Sequence, residues 1–210
     1  MPTTSEGDAN VRRIDTESER VPRRSRQVTL TFEPVISPTL DEQTDALAQV
    51  YAAAFGRPPY CEPPESAARF VEGLRRHSRY PGFRCVVARD GETVIGFAYG
   101  YTSAEGQWWH DAVAGRLPSE SARVWLSNAF EIVDLAVHPT AQGRGAGREL
   151  HDRILQGLPH RTAVLSTRNE ETTALRLYRR SGWRAIATDF HFPGSEDSWL
   201  ILGRELRGPE

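Results

Sequence analysis

The chain has 210 residues, 39% of them apolar, enough to bury one sizeable core. Its formal charge of −2 offers no net attraction to nucleic acid or to an anionic membrane, and no apolar run is long enough to span a bilayer. All 26 basic residues are arginine, and the two cysteines, Cys61 and Cys85, lie far apart and outside any C-x-x-C pair. Two free thiols in a reducing cytoplasm are therefore expected.

Met1 to Arg26 carries six arginines and five acids with only Val11, Ile14 and Val21 to bury, so a disordered or extended N-terminal arm is expected over residues 1–26, followed by one domain over 27–210. The arm has no signal-peptide apolar core, which again suits a cytoplasmic protein. Gln27 to Ile36 reads as a first strand. Leu40 to Phe55 places Leu47, Val50, Tyr51, Ala54 and Phe55 on one helical face, and Pro64 to His77 does the same with Ala67, Phe70, Val71 and Leu74. Phe83 to Arg89 and Thr93 to Thr102 read as strands joined by Asp90-Gly91, a hairpin signal. Gly96 inside the second of these predicts a bulge or a close backbone approach. Ser103 to Asn128 reads as a long aromatic connection carrying Trp108-Trp109-His110-Asp111 and Trp125.

Glu131 to Val137 is a Val/Ile/Leu-rich strand stopped by Pro139, and Gly147, Leu150, Ile154 and Leu158 then recur at helical spacing from about Gly145. Between them, Gln142-Gly-Arg-Gly-Ala-Gly147 puts glycines at alternate positions where a helix dipole is positive. Backbone amides turned to one point there make an anion site suited to phosphate. Thr162 to Thr167 is a short strand, Asn169 to Arg180 a helix ended at Gly182, and Trp183 to Phe192 and Ser198 to Leu206 are two last strands. The order β-α-α-β-β-β-α-β-α-β-β gives an α/β (α+β) fold: a mixed, mostly antiparallel seven-stranded sheet with helices on both faces.

The glycine turn does not fit a Walker loop, because Arg148-Glu149 follows its last glycine. Nor does it fit G-x-G-x-x-G, because Gly147 falls one residue early. Tight packing without a ligand is the bland alternative. What Gln142 to Gly147 does match is Q-x-x-G-x-G after Val137-x-Pro139, which resembles the pyrophosphate-binding motif of the GNAT superfamily of acetyl-CoA-dependent N-acetyltransferases. Ala174-Leu-Arg-Leu-Tyr-Arg-Arg-Ser-Gly-Trp183 is similar to the second conserved block of that family, A-x-x-L-Y-x-x-x-G-F/W.

The resemblance implies the GNAT fold and acetyl-CoA as co-substrate. Gln142, Gly143, Arg144, Gly145, Ala146, Gly147 and Arg148 would hold the pyrophosphate, and the two arginines otherwise belong to a solvated helix face. The backbones of Leu135, Ala136 and Val137 would pair with pantetheine like an added strand. Asn169 is the candidate for the pantetheine-binding asparagine, although Glu171 stands at the more usual spacing. Tyr178 would be the general acid, its competing role being core packing. Glu131 would be the general base, its competing role a strand-end charge, and Asp134, expected on the opposite strand face, is the second candidate. His138 is expected to cap the turn.

An acceptor site of Tyr51, Trp108, Trp109, Asp111 and Asp134 suits a cationic amine through aromatic faces and acids. A small amino metabolite or aminoglycoside-like amine is the first expectation, and a peptide N-terminus or protein lysine the alternative. The same aromatics suit a homodimer interface. The rival from another class is a non-catalytic acyl-CoA-binding sensor or interaction module. The six histidines are scattered without ligand spacing, so no metal is expected, and neither nucleic acid nor membrane is an expected partner.

Overall fold

A computed structural model describes residues 29–206. The expected N-terminal arm, residues 1–26, lies outside the described residues. Seven strands form one sheet: β1 (Leu30–Pro34), β2 (Arg84–Asp90), β3 (Thr93–Ser103), β4 (Ala129–Val137), β5 (Thr162–Arg168), β6 (Arg184–Phe190) and β7 (Trp199–Glu205), in the spatial order β1-β2-β3-β4-β5-β7-β6. Every neighbouring pair is antiparallel except β4 with β5. The fold expected from the order of elements is the fold observed.

Helices α1 (Ser37–Phe55) and α2 (Ser66–His77) cover one face of β1–β4. They bury Leu40, Leu47, Val50, Phe70 and Leu74 against Val87, Phe97, Tyr99 and Ala136. On the other face, α5 (Ala146–Leu155) and α6 (Thr173–Arg180) bury Leu150, Ile154, Leu175 and Tyr178 against Ala98, Phe130, Ile132 and Leu165. Helix α6 starts four residues later than expected from Asn169 because Thr172 is its N-cap, accepting from the Leu175 amide at 3.0 Å.

The stretch expected as a long loop contains two short helices, α3 (Trp108–Ala114) and α4 (Ser119–Leu126). Trp109, Val113 and Leu117 recur every fourth residue and bury one side of this segment with Trp125 and Leu126, against Val164, Phe190 and Ile201. Val164 pairs with Glu131 and so shares its face, which places α3 and α4 on the α1/α2 side of the sheet, over β5 and β7.

Both outer strands are poor templates. β1 is five residues long and ends in Pro34, and the pairing of β6 with β7 shifts register twice, with Asp189 at φ +51°. Two glycines in β3 allow close approaches. At Gly96 a Cβ would lie 2.9 Å from the Ala136 carbonyl oxygen and 3.1 Å from Leu150 Cδ1, and the register of β2 slips beside it, as its place in a strand predicted. At Gly100 a Cβ would lie 2.1 Å from the Glu131 carbonyl oxygen and 2.7 Å from the Phe130 ring. Those neighbours are backbone and a buried ring, so neither yields cheaply. Gly100→Ala is expected to cost about 2–4 kcal/mol of stability, read as a lowered midpoint in urea with an unchanged slope.

Candidate active site

β4 and β5 are hydrogen-bonded neighbours only at Ala129/Thr162, Phe130/Ala163 and Glu131/Val164. Beyond Glu131 the two strands part, while β4 runs on to Val137. From Ile132 onward that edge of β4 has no strand beside it, so the sheet opens a wedge in its middle. Against β3, β4 carries an extra residue: Tyr99 opposes Asp134 and Gly100 opposes Ile132, which leaves Val133 as a bulge.

The bulge corrects one expectation. Unbroken alternation puts Glu131 with Leu135 and Val137, and Asp134 on the other face. The extra residue resets the phase. Glu131 opposes Tyr101 and Asp134 opposes Tyr99, so both acids share the face covered by α1 and α2, while Leu135 and Val137 point towards α5.

The acids differ in access. Glu131 is 3% exposed, accepts from the Tyr101 hydroxyl at 3.4 Å through Oε1, and leaves Oε2 buried without a partner among the described residues. Burial pushes its pKa up to about 8, against the lowering effect of Tyr101. Asp134 is half-buried, and burial raises it to about 6, opposed by the Tyr99 hydroxyl and assisted by Glu62. Asp134 also raises the pKa of Tyr51, Tyr99 and Tyr178, which marks it as the common neighbour of tyrosines from α1, β3 and α6. The β3 tyrosines Tyr99 and Tyr101 are neighbours of the acids that sequence reasoning missed. Their signal was the alternation Phe97, Tyr99, Tyr101 on the strand next to the acids.

At the far end of β4 the glycine turn has the geometry an anion requires. His138 caps it, its Nδ1 accepting from the Thr140 amide at 3.4 Å, as expected. Gln142 Nε2 donates to the Val137 carbonyl at 3.1 Å, tying the turn to the strand. Gly143 and Gly145 adopt φ +76° and +85°, with open space where a side chain would stand. Among the described residues, no carbonyl or side chain accepts from the amides of residues 143–148, the last three of which begin α5. These donors, together with the positive end of the α5 dipole, fit a diphosphate. Arg144 pairs with Asp90 at 2.9 Å and Arg148 with Asp152 at 3.6 Å, so both expected phosphate contacts already have carboxylate partners.

Tyr178 is buried beside Trp183 and His151, and burial raises its pKa well above the ordinary tyrosine value. Asn169 Nδ2 donates to Ser198 Oγ at 3.1 Å and its amide to the Ser198 carbonyl, so this side chain joins β5 to β7. Of the expected acceptor residues, the structure brings Tyr51 to Asp134 and keeps the others apart. Trp109 is core, with Nε1 donating to Ser166 Oγ at 3.3 Å, Asp111 accepts from the Gly106 amide, and exposed Trp108 stacks on Phe192 at 5.1 Å. Among the described residues, no group of three or more His, Cys, Asp or Glu converges as a metal site, and no helix is long and apolar enough to cross a membrane.

Residues 45–183, which contain the wedge, both acids and the glycine turn, match the profile described as Acetyltransferase (GNAT) family. The chain belongs to the GNAT family. It is 39% identical over 121 residues to a GCN5-like protein acetyltransferase of Mycobacterium tuberculosis, covering 54% of this chain and 59% of that relative's length. The chain thus spans little more than half of that relative. In fold, this GNAT family member is similar to the ribosomal-protein-S18-alanine N-acetyltransferase of Escherichia coli (TM-score 0.59, 13% identity, 87% of this chain and 97% of that one). It is also similar to the PaiA N-acetyltransferase of Thermoplasma acidophilum in complex with coenzyme A (TM-score 0.55, 12% identity, 85% and 99%).

The raised acids give stability a definite pH dependence. Glu131 ordinarily titrates near 4.5 and in the fold near 8, so between those values the folded chain holds a proton that the unfolded chain releases. Its contribution therefore falls as pH rises from 4.5 to 8, and Asp134 acts in the same direction over a lower window. Glu131→Gln is expected to be more stable than the parent at pH 8, by at most about 5 kcal/mol, and to lose that advantage towards pH 4.5. Urea denaturation across that range measures it.

Proposed function

We propose that the protein moves an acetyl group from acetyl-CoA to a cationic primary amine by direct attack in a ternary complex. The observation that carries this reading is the pairing of two carboxyl groups, one buried and one half-buried, at the wedge between β4 and β5, with six amides beyond the end of the same strand that no described residue accepts from. Acetyl-CoA, when bound, supplies an activated thioester. The amides of residues 143–148 hold its diphosphate, with Gln142 keeping the turn in place. Leu135, Ala136 and Val137 offer main-chain partners to pantetheine along the open edge of β4. Asn169 stands at the mouth of the wedge, fixed by Ser198.

An alkyl amine arrives protonated and must lose a proton before it can attack. Asp134 is the better placed of the two acids to take it. With a pKa of about 6 it is ionised at neutral pH, and it is half-buried, whereas Glu131 is sealed behind Tyr101 and largely protonated. Glu131 supports Asp134 from behind as a second carboxyl group. The Tyr178 hydroxyl keeps its proton at any working pH, the form needed to donate to a departing thiolate sulfur.

The acceptor wall, with Tyr51, Tyr60, Glu62 and Asp134, supports a small amino metabolite as the acceptor class. A protein lysine is the second reading, favoured by the 39% identical relative, a GCN5-like protein acetyltransferase. Release of coenzyme A thiol, measured with a panel of spermidine, kanamycin and lysine-containing peptides, separates the two. Turnover of the small amines alone supports the first, turnover of peptides alone the second, and no amine-dependent release refutes both.

Tyr178→Phe is expected to lower kcat about 100-fold while leaving coenzyme A affinity within a factor of about three, since only a proton donor is removed. Gly145→Val strains a φ of +85° and fills the open side of the turn, so it should weaken coenzyme A binding at least about 10-fold by calorimetry, and also lower stability by about 1–2 kcal/mol, read as a reduced unfolding midpoint.

A further inference from the structure

Two helices must keep a fixed distance for the transfer proposed above. The amides that begin α5 take the diphosphate end of acetyl-CoA, while Tyr178 on α6 meets its sulfur. The helices lie side by side behind the sheet, where a Cβ on Gly147 would stand 4.0 Å from Leu177 Cδ2. Among the described residues, one hydrogen bond joins α5 to the segment from α6 to β6. Trp183 Nε1 donates to His151 Nε2 at 2.8 Å, and both side chains are buried. We propose that His151 is a positioning residue for Tyr178, setting through Trp183 the distance between the diphosphate site and the acid. This inference rests on the acetyl transfer proposed above.

The partners of the imidazole fix its tautomer. An indole N–H can only donate, so His151 Nε2 carries no proton. The proton sits on Nδ1, which donates to Asp152 Oδ1 at 2.8 Å, a carboxylate that can only accept. Asp152 pairs in turn with Arg148 Nε at 3.6 Å, so the far side of the ring is tied to the first turn of α5. Burial lowers the His151 pKa, against Asp152, which keeps the ring neutral and Nε2 an acceptor.

Trp183 is joined to Tyr178 twice. Its amide donates to the Tyr178 carbonyl at 3.1 Å, and its ring lies 5.7 Å from the Tyr178 ring at 60°. The imidazole itself stands 6.2 Å from the same phenol, so His151, Trp183 and Tyr178 pack as one aromatic group. Stability alone does not call for a polar pair here, since replacing both partners of a buried hydrogen bond by apolar groups of the same shape is nearly neutral. What the bond adds is direction. Apolar contact lets one helix slide along another, and a misplacement of about 1 Å at a reacting group can cost about 100-fold in rate.

Turnover of the full chain is measured with acetyl-CoA and the fastest amine of the panel. His151→Leu, close in volume but without an acceptor, is expected to lower kcat about 10-fold with the KM for acetyl-CoA within a factor of about two. His151→Gln, whose side-chain oxygen can accept from Trp183 Nε1, should restore most of the loss. Trp183→Phe should match His151→Leu, and joining the two should add no further loss. Parental kcat in His151→Leu, or a loss that His151→Gln does not restore, overturns the assignment, the second outcome meaning that the imidazole acts by shape alone. Where His151→Leu does not fold, Trp183→Phe against His151→Gln makes the same comparison, and equal turnover in those two overturns it. If the parent acetylates no amine, the acetylation reading has failed, and proton NMR of the Tyr178 ring judges the positioning by itself. Ring resonances that move in His151→Leu and return in His151→Gln support it, and resonances indifferent to the first variant, or not returned by the second, overturn it.

Discussion

The structure depends on the separation of β4 from β5 beyond Glu131. A parallel pair that stays joined for three residues and then parts leaves main-chain donors and acceptors inside the sheet without a strand to satisfy them. Buried backbone in that state needs a partner, and an extended polar chain such as pantetheine is one that can leave again. The helices hold the opening at a fixed width. On one face α1 and α2 grip β1–β4 while α3 and α4 grip β5 and β7, and α5 and α6 back the sheet from behind.

The second constraint is the extra residue at Val133. It is matched by Gly100, the one β3 position where the Glu131 carbonyl and the Phe130 ring come too close for any side chain. Its effect is electrostatic as much as geometric. By turning Asp134 onto the face of Glu131, it gathers two carboxyl groups among tyrosines in a desolvated space, where each resists ionisation. The tyrosines temper this: Tyr101 and Tyr99 each favour the charged form of the acid opposite. The result is two acids of the same chemistry in different states, one ionised and half-open, the other protonated and closed.

Most of the fold was legible because its signals are local. Glycines at 143 and 145 are demanded by positive φ, helix faces repeat at three and four residues, and Gly96 marked a close approach that the structure contains. What was not legible depends on contacts between distant strands. Nothing within Glu131 to Val137 announces an inserted residue, since the bulge arises from Gly100 on another strand. The helices α3 and α4 were hidden by the adjacent Trp108 and Trp109, which obscure the four-residue recurrence of Trp109, Val113 and Leu117. Tyr99 and Tyr101 carry no signal of their own until the acids opposite them are known, and Trp109 and Asp111 read as acceptor groups although they serve α3.

The margins of the sheet complete the design. A short β1 ending in proline and an interrupted β6 deny a purchase to any stray extended peptide, so the molecule's capacity to recruit an additional strand is confined to its centre. An unpaired edge of this kind would, on the periphery, be equally ready to pair with another polypeptide. The sheet houses it instead between two joined halves, with β3 on one side and β5 on the other.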